Sequence, residues 1–175
     1  TRDVAGLLDG VDDRLGTGVN DGVESEGPLG AFLSGGIDSG LVVSYMAEAL
    51  GEKLVTTTVG FAQAAHNELA AARVTARHVA SRHHETVIEP TLDEVLDAAT
   101  LGSGEPLADS STIPTWYVSR AARSHVTVAL SGDGGDETFA GYDFRYVPHV
   151  LESSARRLLP GAPGRRLAEW TGGAW

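Results

Sequence analysis

Apolar and polar positions change period several times along this chain, and each change marks an element. Val4, Leu7, Leu8, Val11 and Leu15 recur at helical spacing, which predicts a helix over residues 3–15. Residues 16–27 break the pattern. They are polar and glycine-rich, carry Asp21, Glu24 and Glu26, and are expected to form a mobile connector. The apolar run 29–33 then reads as a strand, and a helix is expected over 39–50 with Gly51 as its C-cap. Residues 54–59 are rich in β-branched side chains and read as a second strand. Asn67 is placed to cap a helix running to Arg82. A strand over 85–88, helices over 92–101 and 113–123, and a strand over 126–130 complete the series. Strands alternating with helices imply an α/β domain with a parallel sheet and right-handed crossovers.

Two of the predicted strands run straight into glycine-rich segments. Ser34-Gly35-Gly36-Ile37-Asp38-Ser39 follows the first strand, and Ser131-Gly132-Asp133-Gly134-Gly135-Asp136-Glu137 follows the last. Each puts small residues and a carboxylate just beyond the carboxyl end of a strand, where open α/β sheets hold ligands. A glycine-rich strand-to-helix turn leaves amide N–H groups free for phosphate, aided by the positive end of the helix dipole. A carboxylate on each loop suits Mg²⁺, which takes one or two carboxylates plus phosphate oxygens. The pair reads as a nucleotide triphosphate site. A lone Gly-Gly before a helix is often only a tight turn, and Asp133 to Glu137 also fits a solvated loop. Neither the ligand spacing of an EF-hand nor the Walker pattern occurs in the sequence.

Other candidates are weaker. Glu105 and Asp109 lie in a proline-containing loop before a helix, where they either face a substrate or its amine, or Asp109 or Ser110 caps the helix. His83 and His84 are neighbours on a strand and point to opposite faces, so structural roles are expected of them. His66, His78, His125 and His149 have no spacing that suggests a site.

Composition narrows the class. A chain of 175 residues suits one domain with a real core. The formal charge of −11 argues against nucleic acid and anionic membrane surfaces as partners. With no 18-residue apolar run and no signal peptide, the expectation is a soluble, cytoplasmic protein. There is no cysteine, hence no disulfide, thiolate metal site or cysteine nucleophile.

In combination these segments resemble the synthetase domain of the asparagine synthetase (glutamine-hydrolysing) family, which includes β-lactam synthetase-like members. The loop Ser34 to Ser39 is similar to the pyrophosphate-binding loop of the N-type ATP pyrophosphatases, and the second loop narrows the match. Thr58-Val59-Gly60-Phe61, His83-His84-Glu85, Glu105-Pro106-Leu107-Ala108-Asp109-Ser110-Ser111, Ile113-Pro114-Thr115 and Ala140-Gly141-Tyr142 support it. The resemblance implies a Rossmann-like adenine nucleotide alpha hydrolase / ATP pyrophosphatase fold: a parallel sheet flanked by helices over 1–150, then the start of a helical C-terminal part over 151–175. It also implies an ATP-dependent C–N ligase. A carboxylate, the β-carboxylate of aspartate in asparagine synthases, attacks the α-phosphorus of ATP and releases pyrophosphate, and an amine then displaces the adenylate. ATP and Mg²⁺ are the implied cofactors, and a glutaminase subunit or self-association the implied protein partner. Matched residue by residue, Ser34, Gly35, Gly36 and Ser39 hold pyrophosphate, and Asp38 and Asp136 ligate Mg²⁺. Phe32, Leu33, Val59 and Gly60 contact the adenine, and Ser131 and Gly132 line the nucleotide from the other side. Asp133 matches an acidic catalytic residue of asparagine synthetases that is tyrosine in β-lactam synthetases, which favours an external amine over ring closure.

Departures from the family pattern also register. The single lysine, Lys53, precedes a strand, at the end of the sheet away from the loops. Family members use a lysine well downstream of the second loop, and the sequence ends at Trp175 before that region. The cysteine-dependent glutaminase domain usual in the family is not represented. Gly40 stands where a second serine is common, and Ala64, Ala65 and His66 replace a more acidic stretch. Three readings stay open: a truncated amidotransferase synthetase domain that binds Mg·ATP, another acyl-adenylating ligase of specialised metabolism, and a non-catalytic nucleotide- or partner-binding remnant.

Overall fold

The computed structural model describes residues 3–62, 68–100, 104–105 and 109–158. The chain divides into two compact units, Thr1–Gly132 and Asp133–Trp175.

The first unit is α/β. Its elements are α1 (Val4–Gly22), β1 (Leu29–Phe32), α2 (Ile37–Leu50), β2 (Val55–Phe61), α3 (Leu69–His78), β3 (Arg82–Ile88), α4 (Leu92–Thr100), α5 (Thr112–Ala122) and β4 (Val128–Leu130). The strands form one sheet in the order β3-β2-β1-β4, and every neighbouring pair is parallel. From β1 the chain steps outward through β2 to β3, then returns to place β4 on the far side of β1. Strand order therefore reverses between β1 and β4, the position at which open α/β sheets form a ligand crevice outside their carboxyl ends.

Alternation along the strands builds a core on each face. Leu29, Ala31, Leu33 and Leu54 pack with Val19 of α1, Val43 and Met46 of α2, and Ala72 and Ala76 of α3. Val55 packs on the other face with Ala122 and Val126, joined by Phe32 and Ala129. The middle of β2 is polar yet buried. Thr56 bonds Ser81 Oγ and His83 Nδ1, at 2.8 and 2.9 Å, and Thr58 donates to the Leu33 carbonyl. Each of these hydroxyls therefore has a partner, as burial requires.

Several expectations are corrected. Residues 16–22 are not a connector, because α1 continues to Gly22 with Val19 buried. Of the glycines that read as breakers, Gly22 is instead a close-approach position, and Gly16 leaves room for ordinary packing. A β-carbon on Gly16 would lie 3.5 Å from the Tyr45 ring, and one on Gly22 2.9 Å from a Leu130 methyl. Tyr45 reinforces this contact by donating its hydroxyl to Asp12, which pushes its pKa up to about 12. Helix α3 stops at His78, not Arg82: Ala80 turns with φ 53° and Ser81 N–H bonds the Ala76 carbonyl, 3.0 Å away. Strand β3 starts earlier than expected, at Arg82, since its ladder with β2 runs from Val55↔Arg82 to Phe61↔Ile88. The C-cap at Gly51 holds, with φ 55°. The cap at Asn67, the end of the fourth helix at Leu101 and the residues Ala64, Ala65 and His66 lie outside the described residues.

The second unit is helical where described, with α6 (Gly135–Phe139) and α7 (Asp143–Leu158). Helix α7 carries Pro148 within it.

Candidate functional site

The chain leaves β1 through Leu33, whose N–H donates to the Thr57 carbonyl at 3.0 Å and extends the β1–β2 ladder by one bond. Its side chain is 1% exposed in the core, so any contact it makes with a ligand is through the backbone. A lattice of serine hydroxyls shapes the next turn. Buried Ser39 Oγ receives the Ser34 N–H at 3.2 Å, lies 2.9 Å from Ser34 Oγ and donates to the Gly36 carbonyl at 3.3 Å. Ser34 Oγ in turn accepts the Gly36 N–H at 3.2 Å. Gly35 adopts φ +92°, and a β-carbon there would meet Ala71 Cβ at 2.7 Å and the Ala72 nitrogen at 2.9 Å. Both the dihedral and the close approach to α3 demand glycine.

Helix α2 begins at Ile37 with Gly36 as N-cap and no side-chain cap. The first-turn N–H groups of a helix have no intrahelical acceptor, so here they point outward with the positive dipole end behind them. Asp38 sits in this first turn, half-buried, and its carboxylate makes no hydrogen bond or ion pair with any described residue. The loop after β4 closes on the same helix start. A β-carbon on Gly132 would fall 2.6 Å from the Ser39 nitrogen and 2.9 Å from the Asp38 carbonyl carbon, so backbone meets backbone there. Ser34 to Ser39, Ser131 and Gly132 thus converge at the carboxyl ends of β1 and β4, where strand order reverses. Val59 and Gly60 lie near the carboxyl end of β2, paired with Thr86 and Val87, and Phe32 is half-buried at the end of β1.

In the second unit, Asp133 is exposed in the turn before α6, and Asp136 lies in the first turn of that helix. Gly134, the N-cap, has φ +90°. Ala140 closes α6 in the left-handed region at φ 61°, and the Gly141 N–H returns to the Asp136 carbonyl at 3.0 Å. Tyr142 donates to Glu137 Oε1 at 2.8 Å and Tyr146 to the Glu137 carbonyl at 3.2 Å.

The family model for asparagine synthase matches residues 10–175. This chain belongs to the asparagine synthase family. Among curated relatives, asparagine synthetase (glutamine-hydrolyzing) 1 of Bacillus subtilis is 39% identical over 152 residues, covering 86% of this chain and 24% of that protein. A putative asparagine synthetase (glutamine-hydrolyzing) 2 of Methanocaldococcus jannaschii is 41% identical over 122 residues, covering 69% of this chain and 24% of that protein. The chain spans about a quarter of the length of these relatives. Among solved structures, an NH3-dependent NAD synthetase from Campylobacter jejuni shows a TM-score of 0.49 at 19% identity, over 77% of this chain and 60% of that one. The fold assignment rests on the strand order, independently of that likeness.

In the first unit, Asp38 offers a hard carboxylate oxygen donor with no partner among the described residues, the chemistry a magnesium ion takes. Among the described residues no cluster of three or more His, Asp or Glu side chains could cage a metal. A Mg²⁺ held by one or two carboxylates and completed by phosphate oxygens needs no such cage. Asp109 has a structural use: its Oδ1 accepts the Ser111 N–H at 2.8 Å just before α5, a bond that lowers its pKa. Glu105 is exposed, and Pro106, Leu107 and Ala108 lie outside the described residues. His83 and His84 do part to opposite faces. His83 Nδ1 bonds Thr56, while His84 stacks on His125 with ring centroids 3.6 Å apart. Desolvation by burial lowers the pKa of both. Thr58, named in the sequence only as part of a family-like segment, locks the Leu33 carbonyl, and Ala71, against which Gly35 rests, carried no sequence signal beyond its residue type.

Proposed function

We propose that this chain binds Mg·ATP at the carboxyl ends of β1 and β4 and forms an amide from a carboxylate by adenylation, as the asparagine synthase family resemblance implies. The observation that carries the reading is the convergence of the Gly35–Gly36 turn, the uncapped start of α2 and the Gly132 backbone where strand order reverses. First-turn N–H groups and the Ser34 and Ser39 hydroxyls take the pyrophosphate portion of ATP. Phe32, Val59, Gly60 and the Leu33 backbone meet the adenine, and Ser131 and Gly132 flank the nucleotide.

Asp38 and Asp136 are the residues that would hold magnesium. The ion supplies neutralisation of phosphate charge and polarisation of the α-phosphorus. The chain's own residues provide positioning, the main lever in phosphoryl chemistry. A carboxylate oxygen, from the aspartate side chain on this reading, attacks the α-phosphorus while the bond to pyrophosphate breaks. An amine nitrogen then attacks the acyl carbon, AMP leaves, and the amine proton passes to a base. Asp133 is assigned to that second half, by its match to an acidic catalytic position of asparagine synthetases. Glu105 and Asp109 are the substrate-side candidates, and a glutaminase domain or subunit is the proposed nitrogen source.

Calorimetric titration with ATP, with and without Mg²⁺, tests the binding step on wild type and Asp38→Ala. Magnesium-dependent binding that the substitution abolishes supports the reading, and no binding to folded wild type ends it. Carboxylate-dependent ATP–pyrophosphate exchange then separates adenylation of aspartate from that of another acid.

A further inference from the structure

We propose that Gly141 is a positioning residue that holds the Asp136 carboxylate in place by offering the space that any side chain at 141 would fill. A β-carbon built on Gly141 falls 1.8 Å from Asp136 Oδ1 and 2.7 Å from its Cγ. No real side chain coexists with a carboxylate at that distance. The main obstruction is the carboxylate: the backbone Cα of Asp136 lies 3.1 Å from the same β-carbon, tight but short of collision, and Gly141 is not among the residues of positive φ, whereas its neighbour Ala140 is. At Gly134 the conformation forces glycine at φ +90° with nothing within 4 Å of an added β-carbon. At Gly141 the situation is reversed. The residue choice preserves a rotamer of another side chain.

Two hydrogen bonds and a turn fix the frame. The Gly141 N–H bonds the Asp136 carbonyl at 3.0 Å, and the left-handed Ala140 turns the chain back across α6. Tyr142 then ties the following segment to Glu137. Asp136 therefore owes its orientation to a segment four to six residues further on, and the triplet Ala140-Gly141-Tyr142 gains a physical role: turn, vacancy and tie. An alanine at 141 asks the Asp136 backbone to give by a few tenths of an ångström and expels the carboxylate to another rotamer. The consequence for magnesium rests on the reading of Asp136 as a ligand. The consequence for the rotamer does not.

The test uses the whole chain carrying Gly141→Ala, Asp136→Ala and the double substitution. The ¹³Cγ resonance of Asp136 without ligands reads the carboxylate position, and ATP titration with and without Mg²⁺ reads its use. In Gly141→Ala the resonance is expected to shift, and the magnesium-dependent gain in ATP affinity to fall about 10- to 100-fold, the scale of losing a residue that orients a metal ligand. ATP binding without metal stays at the wild-type level. Adding Gly141→Ala to Asp136→Ala is expected to change nothing further, since no carboxylate remains to displace. Should Gly141→Ala fail to fold, a folded double substitution still assigns the collision to the carboxylate, whereas a double that also fails overturns the proposal. An unshifted Asp136 resonance in folded Gly141→Ala likewise overturns it. A shifted resonance with unchanged magnesium dependence, in Asp136→Ala as well, upholds the positioning and removes the metal reading instead.

Discussion

The turn after β1 and the turn that carries Asp136 draw on the same residue types, but they are secured over very different spans of sequence. The first depends on distant partners. Gly35 rests on Ala71 and Ala72, Leu33 is locked by Thr58, and the start of α2 is met by Gly132. In the second, neighbours also secure one another, with Asp136, Glu137, Ala140, Gly141 and Tyr142 bonded or packed within a few residues of each other. A loop anchored by tertiary contacts registers substitution as lost stability. A locally secured carboxylate can be moved while the rest of its unit stands.

That contrast orders the effects of substitution. Gly35→Ala is expected to do most damage, because it places a β-carbon at φ +92° and drives it into Ala71 and the Ala72 nitrogen. The left-handed conformation and the overpacking together are worth roughly 2–4 kcal/mol. Thermal unfolding should show a midpoint lower by about 5–15 °C. Gly132→Ala comes next at roughly 1–3 kcal/mol, since its collision is with the backbone of Ser39 and Asp38 but its conformation is ordinary. Ser39→Ala removes a buried hydroxyl that serves Ser34 and the Gly36 carbonyl, a loss of about 1–2 kcal/mol visible in denaturant unfolding. Gly141→Ala should leave the unfolding midpoint within about 2 °C of wild type, because its main obstacle is a rotatable side-chain tip. If Gly141→Ala destabilises as much as Gly35→Ala, the division between tertiary and local anchoring fails.

The smallest expected effect is a pH dependence away from both loops. His83 lies among Thr56, Ser81, His84, Glu85 and Arg73, and desolvation lowers its pKa below the ordinary 6.5 although the Glu85 carboxylate pulls upward. A lowered histidine pKa means that the unfolded chain binds the proton first, so stability is full above about pH 6.5 and declines as pH falls below it. His84, lowered by burial and by its stacked neighbour His125, acts in the same direction. Glu85, whose pKa the Arg73 hydrogen bond depresses, adds a further loss at lower pH as it protonates. Unfolding followed from pH 7.5 to 5.5 should show the decline, and His83→Gln should flatten its upper part.

Much of this was legible in the sequence, for identifiable reasons. An apolar run placed the strand after residue 28, and glycine with serine just past its end placed the first loop, because both signals are local. Helix α1 was cut short because Gly16 and Gly22 read as breakers, when the helix continues through both and Gly22 is set by the approach of Leu130 far along the chain. Strand β3 was bounded too narrowly at 85, although His83 and His84 already read as strand neighbours, and the ladder with β2 carries it back to Arg82. The part of the site in the first unit was visible as residues but not as a mechanism of support. Nothing in Thr58 or Gly132 alone says that one locks a carbonyl and the other admits a crossing backbone.

The central claim is the location of the nucleotide. Amide hydrogen exchange of the wild-type chain with and without Mg·ATP tests it most directly. Binding at the carboxyl ends of β1 and β4 predicts slowed exchange at Gly35 to Ser39 and at Gly132, with α4 and the amino-terminal half of α1 unchanged. Slowed exchange confined to other elements, with the amides of Gly35 to Ser39 untouched at saturating Mg·ATP, would contradict it.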